Sequence, residues 1–193
     1  MTGSKITKLK KLAKQNRTVR LLTRHIDGDK YDGVILSCKS NLVIIQNEND
    51  FEFDGIDVFP LKHIKGLRLG SLERQWDRII SQNKQIKKIN RFHWVAKIDT
   101  LQEMIQECQR RKIWPIVETQ SHGSAALHIG PITQSDNKCF HMFCYDATGK
   151  WEKNYQLFYK EIVRIEMFDK YSKHFNRYMM KKLPDRFRSM FKK

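Results

Sequence analysis

Residues 31–46, YDGVILSCKSNLVIIQ, decide the fold. Two apolar, β-branched runs, Tyr31–Lys39 and Leu42–Gln46, are separated only by Ser40-Asn41, which suits a tight reversal between strands and leaves no room for a helix. In the first run Gly33 stands directly before Val34-Ile35. A glycine inside a strand contributes no packing and marks a sharp bend or a close backbone approach. The stretch therefore predicts two antiparallel strands, the first of them bent.

The neighbouring residues extend this pattern on both sides. Upstream, Val19–Thr23 is a strand, and His25–Lys30, with Asp27-Gly28-Asp29, is a polar turn. Before it, Ile6, Leu9, Leu12 and Ala13 recur at helical spacing among lysines, so 5–17 reads as an amphipathic helix. Downstream, 47–50 reads as a loop. Ile56–Leu61 and Ile64–Leu69 are short strands with Pro60 near their junction. Ser71 then caps a helix with Leu72, Trp76, Ile79 and Ile80 on one face.

The same order follows a second time. Residues 100–112 predict a helix with Leu101, Met104, Ile105 and Cys108 on one side, and Thr100 with Glu103 has the spacing of a capping box. Pro115 ends it and Ile116-Val117 begins a strand. Gly123-Ser124 marks a turn, Leu127–Thr133 a strand, Asp136-Asn137 a turn and Cys139–Tyr145 a strand. After a loop at 146–149, Tyr155–Tyr159 and Ile162–Phe168 are strands. Residues 170–182 close with a helix carrying Tyr171, Phe175, Tyr178 and Met179. Gly33 lies 31 residues before Ile64 and Gly130 lies 32 before Ile162, so the two bends are in register.

These readings predict a mainly β protein with flanking helices, of α+β class. It consists of two small five-stranded barrels in tandem, closed or nearly closed, each preceded and followed by a helix. The boundaries are 1–82 for the first helix–barrel–helix repeat, 83–98 for a basic linker, and 99–193 for the second repeat with its basic tail. Closure would remove the exposed edges of so short a sheet.

The formal charge is +16, and it is unevenly placed. Residues 1–24 hold eight cations and no acid, and residues 173–193 hold eight cations against Asp185 alone, so everything between is nearly neutral. Cationic segments on a neutral body suit an anionic partner; the alternative is solvated tails. The candidate nucleic-acid contacts are Lys5, Lys8, Lys11, Lys14 and Arg17 near the start, and Lys181, Lys182, Arg186 and Arg188 near the end. Between them lie Lys84, Lys87, Lys88 and Arg91 with Trp94, where Phe92 and Trp94 interleave with lysines. Aromatic rings can stack on unpaired bases while cations neutralise phosphates. The alternative is that Phe92 and Trp94 pack between the two barrels.

No run of about 18 apolar residues occurs, so no membrane span is expected, and the N-terminus lacks the apolar core of a secretory signal. Cys38, Cys108, Cys139 and Cys144 show no framework spacing and read as reduced thiols of a cytoplasmic protein. Cys139, His141 and Cys144, with His128, invite a zinc reading, but strand alternation puts Cys139 and Cys144 on opposite faces. No metal, cofactor, small-molecule substrate or catalytic set is expected. No phosphate loop, nucleophile elbow or paired carboxylates are present.

The pattern resembles the Sm-like fold, a helix followed by a strongly bent five-stranded barrel. The resemblance rests on Val19-Arg20-Leu21-Leu22, Asp32-Gly33-Val34-Ile35-Leu36, Asn41-Leu42-Val43-Ile44 and His63-Ile64-Lys65-Gly66-Leu67. In the second repeat it rests on Ile129-Gly130-Pro131-Ile132 and Glu161-Ile162-Val163-Arg164-Ile165. SH3-like barrels are similar. The family's uridine pocket is not carried over: Lys39 and Ser40 stand where its turn aspartate would be, and Leu67 follows Lys65-Gly66. Fold class and charge together give the expected function, a non-enzymatic protein binding RNA or single-stranded nucleic acid. The alternative is a protein-interaction module, an adaptor or inhibitor that offers a barrel groove to an acidic partner.

Overall fold

The computed structural model of the chain describes residues 3–24, 30–39, 41–82, 92, 94–121 and 124–191. Residues 25–29, Ser40, Gly123 and most of the linker therefore lie outside the described residues. Two compact units result, Met1–Thr100 and Leu101–Lys193. Each is mainly β with flanking helices, and together they place the chain in the α+β class.

In the first unit, helix α1 (Gly3–Ala13) precedes strands β1 (Thr18–Thr23), β2 (Lys30–Cys38), β3 (Leu42–Asn49), β4 (Glu52–Pro60) and β5 (Ile64–Arg68), and helix α2 (Ser71–Gln82) follows. The hydrogen-bonded order is β5-β1-β2-β3-β4, antiparallel throughout. Gly33 lies where β2 and β3 approach closely, one of the two roles that its place in a strand suggests. A β-carbon there would lie 2.0 Å from the backbone oxygen of Gln46 on β3, so only glycine lets the two strands approach. A register shift between Ile35 and Ser37 adds a bulge to the same strand.

The α1 face read from the spacing is the buried one. Leu9 and Leu12 pack with Val19, Leu21, Ile35, Val43, Ile45 and Phe59. Covering a leucine such as Leu9 is worth roughly 1.5–3 kcal/mol relative to leaving it in water. The loop expected at 47–50 is tighter than residue type alone implies. Strand β3 runs to Asn49 and β4 starts at Glu52, leaving a two-residue turn. Both its residues, Asp50 and Phe51, take positive φ (49° and 65°), the geometry of a hairpin turn whose twist matches its strands. The Glu48 carboxylate accepts the Phe51 N–H and holds the turn.

The second unit runs α3 (Leu101–Arg110), β6 (Ile116–Ser121), β7 (Ser124–Ile129), β8 (Ile132–Ser135), β9 (Cys139–Tyr145), β10 (Trp151–Phe158), β11 (Ile162–Met167), α4 (Lys170–Lys181) and α5 (Asp185–Phe191). The single strand expected at Leu127–Thr133 is two strands, β7 and β8, divided at Gly130-Pro131. Proline has no N–H for the ladder. Instead the Pro131 carbonyl accepts from Phe143 N–H at 3.0 Å. A β-carbon on Gly130 would lie 2.2 Å from the Phe143 oxygen. Strand β7 pairs with β6 in the order β11-β6-β7, and β8 pairs with β9 in the order β10-β9-β8.

Closed barrels are not formed, and the sheets are open. In the first unit β4 and β5 end the five-strand order unpaired with each other, and in the second the break at Gly130-Pro131 separates two sheets. A glycine bend curls a sheet, but closure also requires its end strands to meet in hydrogen-bonding register. Both units nonetheless share local detail. A one-turn 3-10 helix precedes the last strand in each, at Leu61–His63 and Tyr159–Glu161. Each bend glycine abuts the backbone of the residue thirteen positions later, Gln46 or Phe143.

Candidate functional sites

Two surface depressions organise the charge and the aromatic residues, one in each unit. The first, of about 410 Å³, lies beside α1 and the start of α2, where Lys8, Lys11, Gln15, Arg17 and Arg74 converge. Lys8 and Lys11 are three residues apart on α1 and exposed, beside the buried Leu12, which also lines the groove. Arg17 is held by Asp77 of α2, whose other carboxylate oxygen accepts from Thr18 N–H at 2.6 Å, so this arginine fastens α2 to β1. Lys8, Lys11 and Arg74 are exposed and form no ion pair among the described residues.

Glu73, at the floor of this groove, is only 1% exposed. Its carboxylate accepts the Gly70 N–H and, at 2.8 Å, the Arg68 Nε. Burial pushes its pKa up, but the Gly70 amide and Arg68 outweigh that and hold it below the ordinary carboxylate value. The depressed value means that this contribution is complete above the unfolded pKa near 4.5 and is lost as pH falls through the lower folded pKa. Glu73→Gln should cost about 1–3 kcal/mol at neutral pH, because two donors lose an ionised acceptor. Urea melts at pH 7 and well below pH 4.5, read by circular dichroism, should show the difference shrinking on acidification. A constant difference across that range would contradict the assignment.

The other expected contacts are distributed as follows. Lys5 falls within α1, and Lys14 is exposed just beyond its end. Lys84, Lys87, Lys88 and Arg91 lie outside the described residues. Trp94 is half-buried at the start of a 3-10 turn, Val95–Lys97, in which Val95 is fully buried. In the tail Lys181 is exposed, and the Lys182 ammonium sits 4.3 Å from the centre of the Tyr178 ring. Arg186 lies over the Phe187 and Phe143 rings. Arg188 donates to the Leu183 carbonyl at 2.9 Å and pairs with Asp185 at 3.1 Å. The tail cations are thus partly engaged in holding α5, whose Phe187 stacks on Phe143 at 4.3 Å.

The second depression went unread from the sequence. It measures about 630 Å³ and is lined by Tyr171, His174, Phe175 and Tyr178 of α4, with Lys170 and the loop residues Ala147 and Thr148. Tyr171 and Tyr178 are 46% and 47% exposed, which places them outside the core. The core side of α4 is Met179, packed with Trp114, Phe143, Tyr145 and Leu183. The available signal was the width of the apolar stripe. Tyr178 and Met179 are about 100° apart around a helix, so one core face rarely covers both fully.

Asp169 caps α4, its Oδ2 accepting from Ser172 N–H at 2.9 Å. Asp146 organises the adjoining loop by accepting from the N–H groups of Thr148 and Lys150 at 2.9 and 3.0 Å. Gly149 completes that loop with φ +79°, and its Cα lies so close to Tyr178 that an added β-carbon would stand 3.1 Å from the ring.

No three histidine, cysteine, aspartate or glutamate side chains converge as metal ligands among the described residues. His128 bonds the Thr119 hydroxyl at 3.1 Å, and burial lowers its pKa. Burial raises Cys108 and Cys144 to about 12, so neither supplies a thiolate at neutral pH. No helix among the described residues is long and apolar enough to cross a membrane. No protein-family model, curated protein or solved structure matches the chain.

Proposed function

We propose that the chain carries two diverged copies of one Sm-like bent-sheet unit and binds RNA or single-stranded nucleic acid through cationic surfaces on each. The shared element order and the parallel environments of Gly33 and Gly130 support the duplication. The observation that carries the binding reading is the groove at α1, where Lys8, Lys11 and Arg74 face solvent without a carboxylate partner among the described residues. Cations held close together and unneutralised attract phosphates and release their counterions.

Affinity for a fluorescein-labelled single strand, followed by anisotropy, should therefore fall steeply with salt. Three to five phosphate contacts give a slope of about −2 to −4 in log K against log salt, and Lys8→Gln/Lys11→Gln/Arg74→Gln should flatten it by about 2. Absence of binding at low salt refutes the proposal.

Strand β7 favours a second reading. Ser124–Ile129 is an exposed end strand without charge, and its Leu127 is 61% exposed. Such an edge can accept an added peptide strand. A protein partner that survives nuclease treatment and is lost on Leu127→Lys would favour an interaction module instead.

A further inference from the structure

We infer that the α4 groove of the second unit is a base-stacking platform, with Tyr171 and Tyr178, the latter on the face away from the Lys182 ammonium, presenting ring faces to unpaired bases of a single strand. This rests on the nucleic-acid reading above and assigns it a site that the cationic segments alone do not define. Exposed tyrosines at this density are not explained by packing, since Met179 already supplies the core contact of α4.

The platform is rigid. Tyr171 stacks on Phe175 with centroids 5.3 Å apart and planes 11° apart, and Phe175 stacks on Tyr145 at 5.2 Å and 25°. Tyr145 is 3% exposed and its hydroxyl donates to Asn176 at 2.6 Å, which anchors the base of the stack in the core. A ring held in place loses little freedom when a base lands on it. The groove volume of about 630 Å³ is within the range that encloses a small organic group.

Charge selects the occupant. Helix α4 carries Lys170, Lys173, Arg177 and Lys181, all exposed, and no acid; Lys170 lines the groove and the others stand elsewhere on the helix surface. The nearby carboxylates are committed to backbone N–H groups, Asp146 within its loop and Asp169 as the helix cap. An apolar peptide would gain from the rings but not from the cations, and a free phosphate would gain from the cations alone. A flexible polyanion with π-faces uses both. Stacked duplex bases offer no free face, so the ligand is a single strand.

The test compares two probes of equal charge, a twelve-nucleotide oligothymidylate and the same backbone bearing only abasic sites. The intact protein should bind the first at least about tenfold more tightly. Tyr171→Ala/Tyr178→Ala should abolish that preference while retaining residual, salt-sensitive affinity, and Tyr171→Phe/Tyr178→Phe should keep it. Equal affinity of the unaltered protein for both probes overturns the platform and leaves charge-driven binding standing. So does a double-alanine variant that keeps the preference. Binding of neither probe removes the nucleic-acid reading itself. The probe comparison and the phenylalanine variant decide the matter even if the double-alanine protein does not fold.

Discussion

Gly33→Ala is expected to destabilise the first unit by at least about 3 kcal/mol or to prevent its folding. The new methyl carbon would stand 2.0 Å from the Gln46 carbonyl oxygen, and that oxygen belongs to the backbone of β3. No side-chain rotation relieves such a contact. One strand must move, and β2 and β3 are paired from Gly33 to Cys38. Gly130→Ala should behave in the same way in the second unit, since its contact is the Phe143 oxygen at 2.2 Å. Gly66→Ala is the control. Its nearest neighbour would be a Leu22 methyl at 3.5 Å, an ordinary contact, so the expected change is within about 1 kcal/mol. Urea denaturation of the three variants separates the outcomes. Similar small losses at all three positions would mean that the bends do not depend on glycine.

Phe143→Ala is the second large effect. Phe143 is 2% exposed and lies parallel to Trp151, with centroids 4.6 Å apart, while Phe187 of α5 stacks on it at 4.3 Å. Removing a buried phenylalanine costs about 3–5 kcal/mol, and here the cavity opens beneath the terminal helix. The melting temperature should fall by roughly 10 °C or more. Because Phe187 loses its stacking partner, α5 should also detach and unwind, letting trypsin cut after Arg186 and Arg188 before the rest of the unit is cut. A stable variant with an unchanged tryptic pattern would show that the aromatic cluster does not hold the tail.

Strand positions were legible in the sequence where β-branched runs stood between turn residues, as at Cys139–Tyr145, which is β9 without change. The close backbone approaches were legible because Gly33 and Gly130 interrupt such runs. Closure was not, because it depends on whether β4 meets β5 in register, and residue type in the three-residue turn between them, Leu61–His63, does not show that β5 pairs with β1 instead. The split at Gly130-Pro131 had a visible cause in the missing proline N–H, yet a continuous apolar run masks where one ladder ends and another starts. The cationic residues were easy to count, but their roles were not. Arg17 and Arg186 carry the same charge as Lys8, and only the structure shows the first two engaged with Asp77 and with aromatic rings. The α4 platform was hidden for the opposite reason. A tyrosine at helical spacing reads as core until the packing of Met179 shows which face is turned inward.

Amide hydrogen exchange of the intact protein, with and without saturating oligouridylate at low salt, addresses ligand binding most directly. Slowed exchange in α1, at the start of α2 and in α4 is the expected result. No slowing anywhere, or slowing confined to the exposed edge at Ser124–Ile129, would contradict it.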